Sequence, residues 1–243
     1  RDFSIDLQAF DRLISERTRL IILNSPSNPT GSILPAADLV HIAQAVLDRD
    51  CWVISDEIYA RFVYDGEEVP SIASLPGMAE RTVIVDGFSK TYAMTGWRLG
   101  FAIMPPELAR RVELLMTHSI GCTATFTQMA GLAALEGDQN LVEAMVMEYQ
   151  KRRDLIVEGL NAIPGVRCQP PQGAFYAFPN ITETGQLSQQ LASRLLEEAG
   201  VAVLPGTDFG VHGEGYLRLC FAASPPVIQR ALERMAEVLH RSS

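Results

Sequence analysis

Lysine is the scarcest charged residue in this chain. Of its twenty basic residues, eighteen are arginine and only Lys90 and Lys151 are lysine. Where a bare positive charge suffices, the chain uses Arg. A Lys set among small and apolar residues therefore points to amine chemistry, because Lys can be deprotonated in proteins and Arg is not. Positive charge is short overall. The net charge is -9 and no Lys/Arg-rich run occurs, which argues against a nucleic-acid partner. No apolar run approaches the ~20 residues of a membrane span, so no membrane partner is expected. Cys51, Cys122, Cys168 and Cys220 are widely spaced and form no CxxC. That pattern reads as buried, reduced thiols of a cytoplasmic protein, with no metal site. GxGxxG and Gly-rich Lys-Ser/Thr loops are absent, so no nucleotide-binding reading competes. There is no internal repeat and no low-complexity segment. The first residues have no signal-peptide character and no initiating Met, so the true N-terminus is expected elsewhere.

What is present is ordinary globular composition, 47% hydrophobic and 20% charged, over a length that buries a core in one domain or two. Asp6–Glu16 reads as a short amphipathic helix. Leu20–Leu23, Cys51–Ile54 and Thr82–Val85 read as buried strands, and Leu99–Met104 as a further short one. A helix opened by Pro35, with a stripe of Leu39, Ile42, Ala43, Val46 and Leu47, links the first two strands. Strand, helix, strand is a βαβ unit, which predicts a parallel pair. Glu107–His118, Phe126–Glu136 and Leu141–Ile163 follow as helices, the last stopped by Pro164-Gly165. Short strands (Val166–Cys168, Ala174–Phe178, Val201–Leu204, Tyr216–Phe221) then alternate with helices near Leu187–Ala199 and Pro226–His240. The fold class is α/β: a mostly parallel sheet with helices on both faces, then a small α+β domain. The boundary is expected inside the long helix, giving domains 1–148 and 149–243.

The chain is organised around Asp86–Gly100, which follows the Thr82–Val85 strand. Lys90 lies just past that strand's C-terminal end, and Arg98 stands between Gly96 and Gly100. The other two strands end in Asn24–Gly31 and in Asp56-Glu57-Ile58-Tyr59. Ligands of open α/β sheets bind outside the carboxyl ends of strands. An amide, a carboxylate, a phenol, an amine and a guanidinium are thus expected to converge. The set suits a phosphorylated pyridine aldehyde. Lys90 can form an imine with it, and Asp56 can keep the ring nitrogen protonated. Asn28 and Tyr59 can hydrogen-bond a ring hydroxyl, and Ser89 and Arg98 can hold the phosphate. Each residue also has a plainer reading. Asn28 before Pro29 suits a turn, Asp56 an N-cap, and Tyr59 simple packing. Gly96 and Gly100 can mark bends.

The run Gly87–Lys90 with Ala93-Met94, Gly96 and Arg98–Gly100 resembles the cofactor-lysine motif of the class I/II pyridoxal-phosphate aminotransferases of fold type I. Asn24–Gly31 resembles their Asn-Pro-x-Asn-Pro-Thr-Gly segment, with Ser25 in place of the first Pro. Ser55–Tyr59 resembles their Asp-Glu-x-Tyr segment. Gly173–Tyr176, Pro205–Gly210 and Gly215–Leu219 resemble small-domain signatures. The resemblance covers nearly the whole chain and implies pyridoxal 5'-phosphate as cofactor. It implies Lys90 as Schiff-base lysine and proton shuttle, Asp56 on the pyridine nitrogen, and Tyr59 and Asn28 on the ring oxygen. It places Ser89 and Arg98 on the phosphate and Arg218 on the substrate α-carboxylate. The plainer alternative for Arg218 is a pair with an acid such as Glu214.

The implied activity is transamination between an L-amino acid and a 2-oxo acid, by a cytoplasmic homodimer. The implied 1–148 domain is the cofactor-binding one, and its last strand is antiparallel. Two alternatives stay open: a lyase of the same superfamily (a carbon–sulfur lyase or an aminocyclopropane-carboxylate-synthase-like enzyme), and an aminotransferase-like effector domain of a transcription regulator. Two departures stand out. Many relatives carry Ser where this chain has Gly87. They also carry a long preceding segment with a glycine-rich phosphate turn, a stacking aromatic and a tyrosine lent to the partner subunit. The chain is therefore expected to be a C-terminal part that is not competent alone. One subgroup reads dicarboxylates with an arginine some tens of residues past the lysine. No Arg or Lys lies between Arg111 and Lys151, so aspartate recognition by that route is disfavoured.

Overall fold

The computed structural model describes residues 3–240. The chain forms two compact units, one gathering Phe3–Pro26 with Ile33–Glu143 and the other gathering Ser27–Ser32 with the residues from 144 onward.

In the first unit, Asp6 caps α1 (Leu7–Leu13) by accepting from the Ala9 N–H at 2.9 Å. The helix stops short of the expected Glu16, because the Ser15 N–H turns to the Thr18 hydroxyl at 3.0 Å. Three parallel strands follow: β1 (Leu20–Asn24), β2 (Trp52–Asp56) and β3 (Thr82–Gly87). α2 (Ala36–Arg49) connects the first two. Its Leu39, Ile42, Ala43 and Val46 pack with Leu23 of β1, Val53 of β2, and Ile72 and Met78. Each such side chain fully buried stabilises the fold by about 1.5–3 kcal/mol. This core holds α2 against Leu23 near the end of β1 and Val53 near the start of β2.

Beyond β3, a one-turn helix α3 (Phe88–Thr91) leads through a 3-10 turn at Thr95–Trp97 into β4 (Gly100–Ile103), which pairs antiparallel with β3. The twelve residues between the two strands include no crossover helix of the length a parallel return needs. Gly87 lies opposite Gly100, and a Cβ on Gly87 would meet the Gly100 Cα and the Leu99 carbonyl at 3.1 Å. The close strand approach is thus a local reason for glycine at this position. The sheet order is β1-β2-β3-β4. α4 (Pro106–Ser119) buries none of its residues, and α5 (Thr125–Glu136) buries only Thr127 and Gly131. α6 (Asn140–Asn161) carries the chain into the second unit.

The second unit holds β5 (Tyr176–Ala177), α7 (Ser188–Ala199), β6 (Leu204–Pro205), β7 (Leu217–Cys220) and α8 (Pro225–His240). β7 is central and antiparallel to both neighbours. α7 packs on α8 and on β6. The strands are shorter than the apolar runs predict. Val166–Cys168 forms only an isolated bridge, Arg167 to Asn180. Pro170, Pro171 and Pro179 lack the N–H a ladder needs, which limits pairing around Val166–Cys168 and Ala174–Phe178; Pro205 is itself paired, with Leu217. The segment Ser27–Ser32 belongs here because the Gly173 N–H donates to the Gly31 carbonyl at 2.9 Å.

All four cysteines are free, but only Cys51 and Cys168 are buried; Cys122 and Cys220 are exposed, which corrects the reading of all four as core thiols. Burial pushes the Cys168 thiol up to about 12. Among the described residues no helix is long and apolar enough to cross a membrane.

Candidate functional site

The first unit carries one group of predicted residues at adjacent strand ends. Asp56 is the last residue of β2, and its Oδ1 accepts from the Ile58 N–H at 3.2 Å. The residues after it form turns rather than a helix, so the carboxylate closes a turn and caps no helix. Its neighbour Glu57 is held by the Ser55 and Ser71 hydroxyls at 3.0 and 2.6 Å. Tyr59 is buried, 4% exposed, and the Lys90 Nζ lies 6.0 Å from its ring centroid. Ser89 and Lys90 sit half-buried in α3, the helical turn just past β3. Arg98 is exposed in the left-handed region, φ 53°, and its Nη1 donates to the Thr95 carbonyl at 2.9 Å. That anchor leaves the rest of its guanidinium fork facing solvent.

Asp86 was not singled out by the sequence. Its carboxyl is pushed above the usual carboxylate range, first by burial and then by the charges of Glu57 and Asp56; the Gly87 N–H, 2.6 Å away, opposes the rise. Only the folded chain sets these acids near one another, so no spacing signal could have found it.

The second unit carries the other group. Arg218 lies in β7, and its Nη1 donates to Asn28 Oδ1 at 2.9 Å. Its guanidinium carbon stands 4.5 Å from the Tyr176 ring centroid and 4.9 Å from that of Phe209. Its Nε is buried and has no hydrogen-bond partner among the described residues. Glu214, the alternative partner, is engaged elsewhere. It accepts from the Ser188 N–H and hydroxyl at 2.8 and 3.0 Å and from the Gly215 N–H at 2.9 Å. The Ser188 and Gly215 N–H groups hold its carboxyl below the usual range. Tyr176 and Phe209 lay inside motifs quoted from the sequence, without a role. The signal for them was an aromatic at or next to the end of each motif.

The two groups differ in chemistry. The first unit offers an amine, a carboxylate, a phenol, a hydroxyl and an exposed guanidinium; the second offers an amide and a guanidinium between aromatic rings. No group of three or more His, Cys, Asp or Glu that could hold a metal ion occurs among the described residues.

Residues 1–235 match the family model described as aminotransferase class I and II. The chain is 43% identical over 240 residues to an aspartate aminotransferase of Pyrococcus abyssi, covering 98% of this chain and 61% of that protein. It is 41% identical over 240 residues to aromatic-amino-acid aminotransferase 2 of Thermococcus litoralis, again covering 98% and 61%. The solved structure of an aromatic aminotransferase from Pyrococcus horikoshii OT3 superposes with a TM-score of 0.95 at 43% identity, covering 99% of this chain and 65% of that one. The chain thus spans about three fifths of the length of the curated relatives it matches.

Proposed function

Because the chain belongs to the class I and II aminotransferase family, we propose that the protein transfers an amino group between an L-amino acid and a 2-oxo acid, with pyridoxal 5'-phosphate as cofactor. The donor set of the first unit fits that group: an amine for its carbonyl, a carboxylate for its ring nitrogen, and Arg98 and Ser89 for its phosphate. When bound, it supplies a carbonyl for amine exchange and a ring that spreads the charge left at the substrate Cα.

The chain's own residues supply the rest. Lys90 Nζ would hold the cofactor through its carbonyl carbon; once the incoming amino group displaces it from that bond, the freed amine would take the Cα proton and return it on the other side of the exchange. The Asp56 carboxylate keeps a proton on the ring nitrogen, an opposite charge that favours the ionised acid. Tyr59 and Asn28 orient the ring oxygen. Arg218 takes the α-carboxylate in a charge-assisted fork, and its unpartnered Nε is the observation on this chain that supports an anion there.

The observation that carries the reading is the placement of Asp56, Tyr59 and Lys90 at the ends of neighbouring strands β2 and β3, with Lys90 Nζ over the Tyr59 ring. The homodimer is proposed on the unburied apolar residues of α4 and α5, and the cytoplasm on the free thiols. The relatives reported above are named as aminotransferases, which weighs against the lyase and regulator readings. The test is a product assay of the natural protein that carries this chain, with pyridoxal phosphate, an amino donor and 2-oxoglutarate. Appearance of a new oxo acid together with glutamate supports transamination. Ammonia release without glutamate points to the lyase, and neither product overturns the proposal.

A further inference from the structure

Arg218 is built into its place more firmly than a carboxylate contact alone requires. A guanidinium on a long side chain carries about 2 kcal/mol of rotamer entropy, and binding a substrate with a mobile one gives that back. Here three groups restrain it. Asn28 Oδ1 takes Nη1 at 2.9 Å. Tyr176, from β5, and Phe209 stand 4.5 and 4.9 Å from its carbon. Such rings attract a cation with their faces and displace water from it.

Phe209 is itself fixed. It ends the 3-10 turn Gly206–Phe209, and its ring meets Phe178 edge-on at 6.2 Å and 89°. Phe178 in turn stacks on Tyr216 at 5.0 Å and 4°. The turn is seated by contact between backbones. A Cβ on Gly206 would lie 2.0 Å from the Gly213 carbonyl oxygen, and the Gly206 N–H donates to the Tyr216 carbonyl at 2.8 Å. Tyr216 precedes β7 by one residue, so one short segment ties the Phe209 ring to the strand that carries Arg218.

We propose that Phe209 is a positioning residue: with Tyr176 it holds the Arg218 guanidinium oriented and poorly hydrated, so that the substrate carboxylate meets a preorganised cation. This rests on the reading of Arg218 as the carboxylate anchor. Acting through Arg218 and not on the reacting atoms, Phe209 on this proposal supports ground-state and transition-state binding alike, so its removal moves KM rather than kcat.

The test uses the pyridoxal-phosphate-loaded protein, with the donor active in the product assay and 2-oxoglutarate as acceptor. Phe209→Leu is expected to raise KM for both substrates fivefold to tenfold, to leave kcat within twofold, and to be repaired by Phe209→Tyr, which restores a ring face. Phe209→Met fills the space without one and should behave like the Leu variant. An unchanged KM in Phe209→Leu overturns the inference. So does a rise that Phe209→Tyr fails to repair, or a loss confined to kcat. If neither the Leu nor the Met variant folds, Phe209 serves the core and the inference is again overturned. A wild-type protein with no exchange activity overturns the functional reading itself; an active wild type with unmoved KM in the variants overturns only the role of Phe209.

Discussion

Asp86 shows how the fold tunes a single residue. Burial, with Glu57 and Asp56 adding to it, raises its proton affinity in the native state. A carboxyl raised on folding makes the native state relatively most stable below its unfolded value, about 3.9. That stability is lost as pH rises through the folded value. Asp86→Asn removes the ionised form and keeps an acceptor for the Gly87 N–H. It should therefore melt at a higher temperature than wild type at pH 7, with the gap closing as the pH falls to about 4. Melting curves of both proteins across that range check this; a gap independent of pH would assign the effect to packing. Asp86 was illegible in the sequence because nothing local distinguishes it. The place of Lys90 directly after a strand was legible, because the apolar run Thr82–Val85 ends just before it.

Among the elements, the sheet core was the most readable. β1, α2, β2 and β3 announce themselves by apolar period, and their cluster closes as that period requires. The small unit was less so. Apolar runs at Val166–Cys168 and Val201–Leu204 suggested strands, but pairing survives only at Arg167 as a bridge, beside Pro170 and Pro171, and at Leu204–Pro205 as two residues. The one-turn helix holding Lys90 is too short for any period to reveal. The attachment of Asn28 to the second unit depends on the bond from Gly173 to Gly31, a contact between distant parts of the sequence. The Gly206 turn is a second such contact, and it makes an element-level prediction. Gly206→Ala would press its methyl against the Gly213 carbonyl, which is backbone and yields little. Overpacking of this kind costs about 1–3 kcal/mol. Denaturant unfolding should show a loss of that size, and a neutral variant would mean the turn is loosely held.

At the scale of the whole molecule, the first unit leaves apolar side chains to solvent. Leu115 of α4 is 66% exposed and Phe126 of α5 is 72% exposed, with Leu114, Ile120 and Met129 also uncovered. An acidic protein, net charge -9, is kept apart by charge, so association must come from such surface. Sedimentation velocity should find the wild-type protein dimeric and the double substitution Leu115→Asp, Phe126→Asp largely monomeric; a monomeric wild type would refute the dimer. Lys90 as the covalent lysine is open to direct chemical trapping. The protein loaded with pyridoxal phosphate is reduced with borohydride, digested, and its peptides weighed. The account predicts the phosphopyridoxyl mass on the peptide containing Lys90. A tag on Lys151, or on no lysine, would contradict it.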